Sequence, residues 1–372
     1  MQVVIRADAS VEIGSGHVMR CLTLAHELRA RQAVVTFVTR ELDGHLASLV
    51  EAKGFNCYRL PAVEGSRDED QSESQKYAVG LGCSQAQDAA DCAACLTGIG
   101  AIDWLIVDHY ALDVQWEHLM RRHVQKIMVI DDLADRRHDC DVLLDQNLYS
   151  GLDTRYRFLV PPNCVALLGT RYALLSPQFA CLRRNVSSNL RVTPYRLLVF
   201  FGGADATDET GKFLQAWATV QRSDLFANVV IGASNPRGDS LAGVGRQIHG
   251  IQIYRHVSNM AELMVGSDYA FGASGTTNWE RFCVGLNSSI TAVASNQLQL
   301  AADLSAFDLI HYLGDWRTTS AATYERALQD LDLTAQELEQ RRALILGHVD
   351  GHGVSRVVDR LVDDTIRIEV EQ

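Results

Sequence analysis

A glycine turn that ends in a histidine carries the clearest chemical signal in this sequence. An apolar run at residues 2–8 leads to Gly14, Gly16 and His17, and an amphipathic helical pattern follows. Glycine lets a backbone come close to a ligand, and the free N–H groups at a helix start attract anions. His17 lies where a neutral imidazole can take a proton from water. The turn predicts a phosphate or sugar site, although such turns are as often purely structural.

The same turn does not fit a dinucleotide-binding site. Met19 replaces the third glycine of the G-x-G-x-x-G fingerprint. The second predicted strand, at 33–39, ends in Arg40 and not in the acidic residue that would hold a ribose. The sequence therefore argues against a nicotinamide cofactor.

Length, composition and charge exclude several classes of protein. The chain has 372 residues, 47% of them hydrophobic, which suits two domains. Its 34 basic and 46 acidic residues give a net charge of −12, which argues against a nucleic-acid or anionic-membrane partner. No signal peptide is visible, and no apolar run approaches the roughly 20 residues that span a bilayer. We therefore expect a cytoplasmic protein.

Cysteine usage indicates reduced thiols. The nine cysteines are an odd number and are scattered over predicted strands and helices. Cys92 and Cys95 form a C-x-x-C pair, which in other contexts binds a metal or has a redox role. They have no second pair and no nearby histidine, so we expect neither role here.

Short apolar runs alternate with helical patterns along the whole chain, which is typical of parallel sheets covered by helices. Two sets of strands are predicted: 2–8, 33–39, 56–60, 104–108, 126–131, 142–145 and 164–168, then 196–202, 228–232, 251–255, 268–272 and 288–294. Helices are predicted near the end at 334–346 and 354–361. A polar stretch at 176–193 separates the two sets. The predicted fold class is thus α/β, with two doubly wound domains, 1–185 and 186–372, that face a central cleft.

Ligands of doubly wound sheets bind beyond the carboxyl ends of the strands, so the residues there are candidates for a site. Five polar or glycine-rich clusters follow predicted strands: 14–17, 108–110, 145–147, 202–205 and 272–277. The 272–277 cluster precedes a helix and suits a diphosphate. Glu280, one turn later, could accept both hydroxyls of a ribose or could only compensate the helix dipole. Likewise, Asn296 and Gln297 could donate to a ligand or cap a helix, and Asp205 could be a cap.

Two other kinds of chemistry have little support. No Ser-His-Asp arrangement can be read from the sequence, and the G-x-S-x-G elbow of acyl-transfer hydrolases is absent. Asp131, Asp132 and His138 could be imagined as metal ligands, but an acidic pair after a strand is commonly solvated or capping. We predict no metal.

The clusters, taken in order, resemble one family over nearly the whole chain. The matching segments are 5–8 (IRAD), 13–25 (IGSGHVMRCLTLA), 107–113 (VDHYALD), 131–135 (DDLAD), 144–147 (LDQN), 168–175 (LGTRYALL), 200–203 (FFGG) and 274–281 (SGTTNWER). They are similar to the UDP-2,4-diacetamido-2,4,6-trideoxy-β-L-altropyranose hydrolases of pseudaminic acid biosynthesis.

The resemblance implies a GT-B-like architecture of two Rossmann-like domains, similar to MurG. It implies that the C-terminal domain holds UDP, that hydrolysis inverts the anomeric centre without metal or cofactor, and that His17 is the catalytic base. We expect the start of the following helix to keep His17 unprotonated. The substrate-binding residues implied by the resemblance and the clusters are Asp8, Gly14, Ser15, Gly16, Arg20, Asp108, Tyr110, Asn147, Arg171, Gly202, Gly203, Val257, Ser274, Gly275, Thr276, Thr277, Glu280, Asn296 and Gln297.

The expected partner is a small-molecule UDP-sugar, with neither nucleic acid nor membrane, and the protein is expected to be a monomer. Two alternatives stay open at this point. One is a glycosyltransferase of the same fold, in which an acceptor hydroxyl replaces water. The other is a non-catalytic subunit that binds a UDP-sugar and turns nothing over.

Overall fold

The computed structural model describes residues 1–63, 80–183, 194–255, 257, 259–333 and 335–371. The chain divides into two units, each built on a parallel sheet. Unit 1 comprises Met1–Asn147, Gly151–Leu174 and Gly353–Gln372, and unit 2 comprises Leu148–Ser150 and Leu175–His352. Among the described residues, no helix is both long enough and apolar enough to cross a membrane.

Unit 1 contains seven parallel strands in the order β3-β2-β1-β4-β5-β6-β7. Their bounds are β1 Gln2–Ala7, β2 Val34–Arg40, β3 Asn56–Leu60, β4 Trp104–Asp108, β5 Lys126–Ile130, β6 Val142–Asp145 and β7 Val165–Leu168. The central strands are continuous apolar runs because helices cover parallel sheets on both faces. In the centre of the sheet, Ile5 pairs with Phe37 on one side and Ile106 on the other.

The described helices of unit 1 are α1 Gly16–Ala30, α2 Ala47–Ala52, α3 Gln85–Leu96, α4 Val114–Met120 and α13 Gly353–Glu371. The last of them corrects the predicted domain division, which assigned residues after 352 to the C-terminal domain. Val354, Val357, Val358 and Leu361 recur at helical spacing and lie in the same apolar core as β1 and α1. The end of the chain therefore completes the first unit.

Unit 2 contains six parallel strands in the order β10-β9-β8-β11-β12-β13. Their bounds are β8 Tyr195–Phe200, β9 Leu225–Ile231, β10 Ile251–Arg255, β11 Tyr269–Ala273, β12 Ser288–Ala292 and β13 His311–Asp315. The helices are α5 Pro177–Arg183, α6 Glu209–Thr219, α7 Gly238–Gly245, α8 Met260–Val265, α9 Thr277–Cys283, α10 Leu298–Ala306, α11 Ala321–Gln329 and α12 Ala335–Leu346. The predicted boundary between 185 and 186 lies outside the described residues, and unit 2 takes over at Leu175.

The strand order of each sheet reverses at one point, and this places the candidate sites. In unit 1 the reversal lies between β1 and β4, and in unit 2 between β8 and β11. Loops that leave adjacent strands at such a point diverge and open a crevice at the carboxyl edge. The predicted class, α/β with two doubly wound sheets, is confirmed.

Candidate active site

The turn between β1 and α1 brings His17 to the reversal point of the first sheet. Gly14 has φ 76°, in the left-handed region that favours glycine, and its N–H donates to the Ser10 carbonyl at 2.9 Å. The neighbouring residue Ser15 is half-buried and precedes α1 without a side-chain capping bond. A Cβ added at exposed Gly16 would meet no atom within 4 Å. Gly14 is therefore required by the turn, and both glycines leave open space around the turn beside His17.

His17 is held by a carboxylate from the neighbouring strand. Its Nδ1 lies 2.5 Å from Oδ1 of Asp108, the last residue of β4, and Asp108 is fully buried. Because an ionised carboxylate can only accept, Nδ1 carries the proton in the neutral ring and Nε2 is the basic nitrogen. This is the arrangement in which an acidic group orients a histidine base.

Arg20, one turn after His17 on α1, binds the same carboxylate. Its Nε donates to Asp108 Oδ2 at 2.6 Å and its Nη2 to Oδ1 at 2.7 Å. Burial alone raises the pKa of Asp108, but the charges of Arg20 and His17 outweigh it and hold that pKa far below its usual range. Asp108 is therefore ionised throughout the neutral range.

Asp132, which follows β5, gathers three donors at the edge of this cluster. It accepts from Arg20 Nη1 at 2.7 Å, from the Tyr110 hydroxyl at 2.8 Å and from Asn147 Nδ2 at 2.8 Å. The Tyr110 ring stands edge-on to His17, with centroids 4.4 Å apart. Burial and Asp132 raise the pKa of Tyr110 well above its usual value, so the hydroxyl keeps its proton.

Asn147 also links this cluster to Asp145 at the end of β6. Its Nδ2 donates to Asp145 Oδ1 at 2.9 Å, and Asn147 is buried. Burial and the charge of Asp132 raise the pKa of Asp145 to about 7. Four of the predicted residues thus meet around His17, namely Arg20, Asp108, Tyr110 and Asn147.

Asp8, a predicted substrate-binding residue, is bound within the protein, and its contact with substrate stays a prediction. This carboxylate is fully buried and accepts from Arg6 Nη1 at 2.5 Å, from the Arg40 backbone N–H at 2.7 Å and from the Thr39 hydroxyl at 3.1 Å. His109 Nε2 lies 3.3 Å from its second oxygen. Asp8 belongs to a buried ion-pair network under the site, because a buried charge needs paired donors to remain in the core.

Arg171 is not part of the His17 cluster in the described contacts. It is exposed on a short 3-10 helix, Thr170–Tyr172, and its guanidinium lies 5.1 Å from the ring centroid of Tyr172. Its predicted contact with substrate stays a prediction.

The reversal point of the second sheet carries the predicted nucleotide residues. Gly202, with φ 97°, and Gly203 follow β8. Gly275, Thr276 and Thr277 follow β11 and are half-buried. The Gln297 amide nitrogen lies 3.8 Å from the position of a Cβ on Gly275, so this residue approaches the same turn.

Three residues singled out from the sequence of the second unit form hydrogen bonds within the protein. Ser274 is fully buried, and its hydroxyl accepts from Asn278 Nδ2 at 3.3 Å, so its predicted contact with a ligand stays a prediction. Gln297 Oε1 accepts from the Val293 N–H at 3.0 Å, so the oxygen of this side-chain amide binds the backbone directly after β12. Asp205 accepts from the N–H groups of Glu209 and Thr210, which confirms its alternative role as a cap of α6.

Glu280 lies in the first turn of α9 and is half-buried. Burial raises its pKa to about 7, although the charge of Arg281 opposes the shift. Asn296 lies in the 3-10 helix Ser295–Gln297, and Val257 lies half-buried between β10 and α8.

The imagined metal ligands are not brought together. His138 Nδ1 lies 2.7 Å from Glu117 Oε1, and Asp132 binds the donors described above. Within the described ranges, no group of three or more His, Cys, Asp and Glu side chains is arranged to hold a metal ion.

Sequence reasoning missed the role of Asp132 as the shared acceptor of the site. The available signal was its position after β5, since the β4 and β5 ends are neighbours in the sheet. Arg20 can bind both Asp108 and Asp132 only because β4 and β5 are adjacent in the sheet. The spacing of these residues in the sequence does not predict that adjacency.

Comparison with known proteins gave relatives in sequence and in fold, and no protein-family model matches the chain. The UDP-2,4-diacetamido-2,4,6-trideoxy-beta-L-altropyranose hydrolase of Campylobacter jejuni is 26% identical over 306 residues, which cover 82% of this chain and 96% of the relative. An uncharacterized protein of Methanocaldococcus jannaschii is 25% identical over 306 residues and 80% of this chain. The match spans only 57% of that archaeal protein.

Solved structures of low sequence identity share the fold. Acinetobacter baumannii MurG superposes with a TM-score of 0.66 at 13% identity and covers 97% of this chain and 99% of its own. The calicheamicin glycosyltransferase CalG4 gives 0.63 at 14%, with 98% of each chain covered. The UDP-GlcNAc 2-epimerase of Neisseria meningitidis, bound to UDP-GlcNAc, gives 0.60 at 10%, with 98% and 100% covered. The chain therefore has the two-domain GT-B-like α/β fold and resembles, over most of its length, the UDP-2,4-diacetamido-2,4,6-trideoxy-β-L-altropyranose hydrolase family.

Proposed function

We propose that this protein hydrolyses UDP-2,4-diacetamido-2,4,6-trideoxy-β-L-altropyranose to UDP and free 2,4-diacetamido-2,4,6-trideoxy-L-altrose, in pseudaminic acid biosynthesis. The observation that carries the proposal is the His17–Asp108 pair, at 2.5 Å, at the reversal point of the first sheet. The 26% identity to the Campylobacter hydrolase supports the choice of substrate. In this proposal the reaction needs no metal.

Each unit has its own part in this reaction. The glycine turn after β8 and the turn before α9 suit the diphosphate, because backbone N–H groups at such turns bind phosphate oxygens. Glu280 suits the ribose hydroxyls, and Val257 the uracil. The first unit provides the base that activates water.

The bond changes follow from the position of the basic nitrogen. His17 Nε2 takes a proton from water as the water oxygen forms a bond to the anomeric carbon, on the face opposite UDP. The bond between that carbon and the diphosphate oxygen breaks, and its electron pair leaves with UDP. Attack from the opposite face inverts the anomeric centre. Asp108 stabilises the imidazolium that forms, because its carboxylate already accepts the Nδ1 proton.

A glycosyltransferase is the second candidate, because MurG and CalG4 share the fold. The deciding experiment is proton NMR of the protein with the UDP-sugar, without acceptor and with a chelator. Hydrolysis predicts loss of the nucleotide-linked anomeric signal and first appearance of free sugar as the inverted anomer. Unchanged signals would contradict the hydrolase and favour a transferase or another nucleotide sugar.

Replacement of Gly16 by alanine tests whether the substrate approaches the backbone beside His17. Gly16→Ala should not lower the Tm, because the added methyl meets no protein atom, the backbone is not left-handed and alanine is favoured over glycine in a helix. We expect KM for the UDP-sugar to rise by about tenfold, the order of magnitude of one lost close contact.

The control for this prediction is Gly14→Ala. It should lower the free energy of unfolding by about 1 kcal/mol, because alanine is strained at a left-handed φ. A Gly16→Ala variant with wild-type KM and Tm would show that the substrate does not come near this turn.

UDP binding should release protons near pH 7 if Glu280 binds the ribose. Its carboxyl group has a pKa of about 7 in the free protein. Ribose hydroxyls donate to the ionised form, so UDP lowers that pKa and expels a proton. UDP affinity should therefore be full above pH 7 and fall as the pH drops below it. Calorimetry in buffers of different ionisation enthalpy measures the released protons.

Glu280→Gln should abolish the proton release and weaken UDP binding by about tenfold, as expected for losing charge-assisted hydrogen bonds. Glu262→Gln is the matched control, since Glu262 is exposed in the first turn of α8. Wild-type affinity in Glu280→Gln, with the same proton release as wild type and Glu262→Gln, would leave Glu280 the role of compensating the helix dipole.

A further inference from the structure

We propose that Arg20 is a positioning residue: it fixes Asp108 against His17 and balances the charge of that carboxylate, so that His17 stays available as a base. The catalytic part of this proposal depends on the proposed hydrolysis. The orientation and protonation of His17 can be measured without any substrate.

The first step is the geometry of the guanidinium. Arg20 is 5% exposed, and Nε, Nη1 and Nη2 all bind carboxylate oxygens. Its Nη2 also lies 3.4 Å from His17 Nδ1. Three of its five N–H donors therefore bind within the protein, and its predicted contact with substrate stays a prediction.

The second step is the balance of charge around the imidazole. A carboxylate 2.5 Å from Nδ1 favours the imidazolium, which has no basic nitrogen left. The groups that face His17 are Asp108 from β4, Arg20 from its own helix and Tyr110 after β4. Asp132, after β5, is connected to His17 through its ion pair with Arg20. His109 adds an electrostatic contact from beside Asp8. Among these groups, the guanidinium of Arg20 offsets the carboxylate that binds His17.

The third step is the link to the rest of the cluster. Through Nη1, Arg20 also binds Asp132, which holds the Tyr110 hydroxyl and the Asn147 amide. Lysine at this position keeps one positive charge but cannot reproduce the forked contact to Asp108. Charge and geometry can therefore be separated experimentally.

The experiment compares Arg20→Met, Arg20→Lys and wild type. Nitrogen-15 NMR of histidine-labelled protein reports which ring nitrogen of His17 carries the proton and at which pH the ring charges, with His17→Gln to assign the signal. Arg29→Met is the matched control, because Arg29 is exposed on the same helix and binds carbonyls near residue 54. The pH profile of kcat/KM is measured in parallel.

In wild type at pH 8 we expect the proton on Nδ1. In Arg20→Met the negative charge of Asp108 is no longer offset, so we expect His17 to stay charged to a higher pH than in wild type and the acid limb of the kcat/KM profile to move in the same direction. In Arg20→Lys we expect a smaller change in the pH at which His17 becomes charged. The proton of the neutral ring should no longer be confined to Nδ1, because lysine does not hold Asp108 in a fixed orientation. If Arg20→Met does not fold, the Arg20→Lys spectrum decides.

A His17 titration and tautomer that are the same in wild type, Arg20→Lys and Arg20→Met would overturn the proposal. If wild type does not hydrolyse the UDP-sugar but the NMR changes occur as expected, the proposed function fails and the role of Arg20 stands. If hydrolysis occurs and the NMR signals do not move, the reverse holds.

Discussion

Replacing His17 with alanine is expected to lower kcat by about 10²- to 10⁴-fold, the usual contribution of a general base. The reason is that, in the proposed mechanism, Nε2 is the nitrogen that accepts the proton of the attacking water. UDP affinity should stay at the wild-type value, because we assign the nucleotide to the turns of the second sheet. Single-turnover assays and UDP titrations measure both quantities on one preparation. Added imidazole should restore part of the rate, since it can occupy the space left by the ring.

The matched control is His26→Ala on the same helix. His26 is exposed and contacts Arg29 and Phe55, so its loss should leave kcat unchanged. A His17→Ala enzyme with near-wild-type kcat would contradict the assignment of the base. Loss of kcat in both variants would indicate damage to the helix and not loss of the base.

Asp108→Asn is expected to lower kcat by about 10²- to 10⁴-fold as well, because the amide has no negative charge to stabilise the imidazolium. Its oxygen can still accept from Nδ1, but its NH₂ group cannot accept from Arg20. The positive charge of Arg20 is then no longer balanced by Asp108. We expect an intact fold with a lower Tm and unchanged UDP affinity. Stopped assays, thermal unfolding and UDP titration test these three expectations.

The dependence on pH distinguishes Asp108 from the base itself. The pKa of Asp108 is lowered in the folded protein, so its stabilising contribution is complete above the unfolded value of about 4 and is lost only as the pH falls towards the folded value. Any change of rate between pH 5 and 9 therefore reports another group. An Asp108→Asn enzyme that keeps wild-type kcat at every pH would rule out an essential role for this carboxylate.

Much of the fold could be predicted because parallel strands are buried on both faces and so appear as apolar runs. The exception is β13, His311–Asp315, which lies at the sheet edge, is half-exposed in four of five positions and contains a glycine. Its sequence has no continuous apolar run, so the pattern gave no signal. The C-terminal helix was predicted, but the spacing of its apolar residues does not indicate which of the two hydrophobic cores they pack against.

The candidate site could be predicted in part. His17 and Asp108 were recognisable because one lies in the turn after β1 and the other ends β4, and the reversal of strand order brings those two strand ends together. Asp8 follows a strand as well, yet its carboxylate turns into the core, where Arg6 and Arg40 meet it. Position in the sequence does not distinguish a carboxylate that faces a ligand from one that compensates a buried arginine.

The return of α13 to the first unit has a consequence for the order in which the protein can fold during synthesis. Leu361 accepts a hydrogen bond from the Trp104 indole N–H at 3.2 Å, and Val357 and Val358 are fully buried beside α1. The unit that carries His17 is translated first but lacks part of its core until residues 354–361 have left the ribosome. The second unit has its residues available earlier. The half of the protein that holds the proposed base is thus the last to have its whole core available, although its first strand is made first.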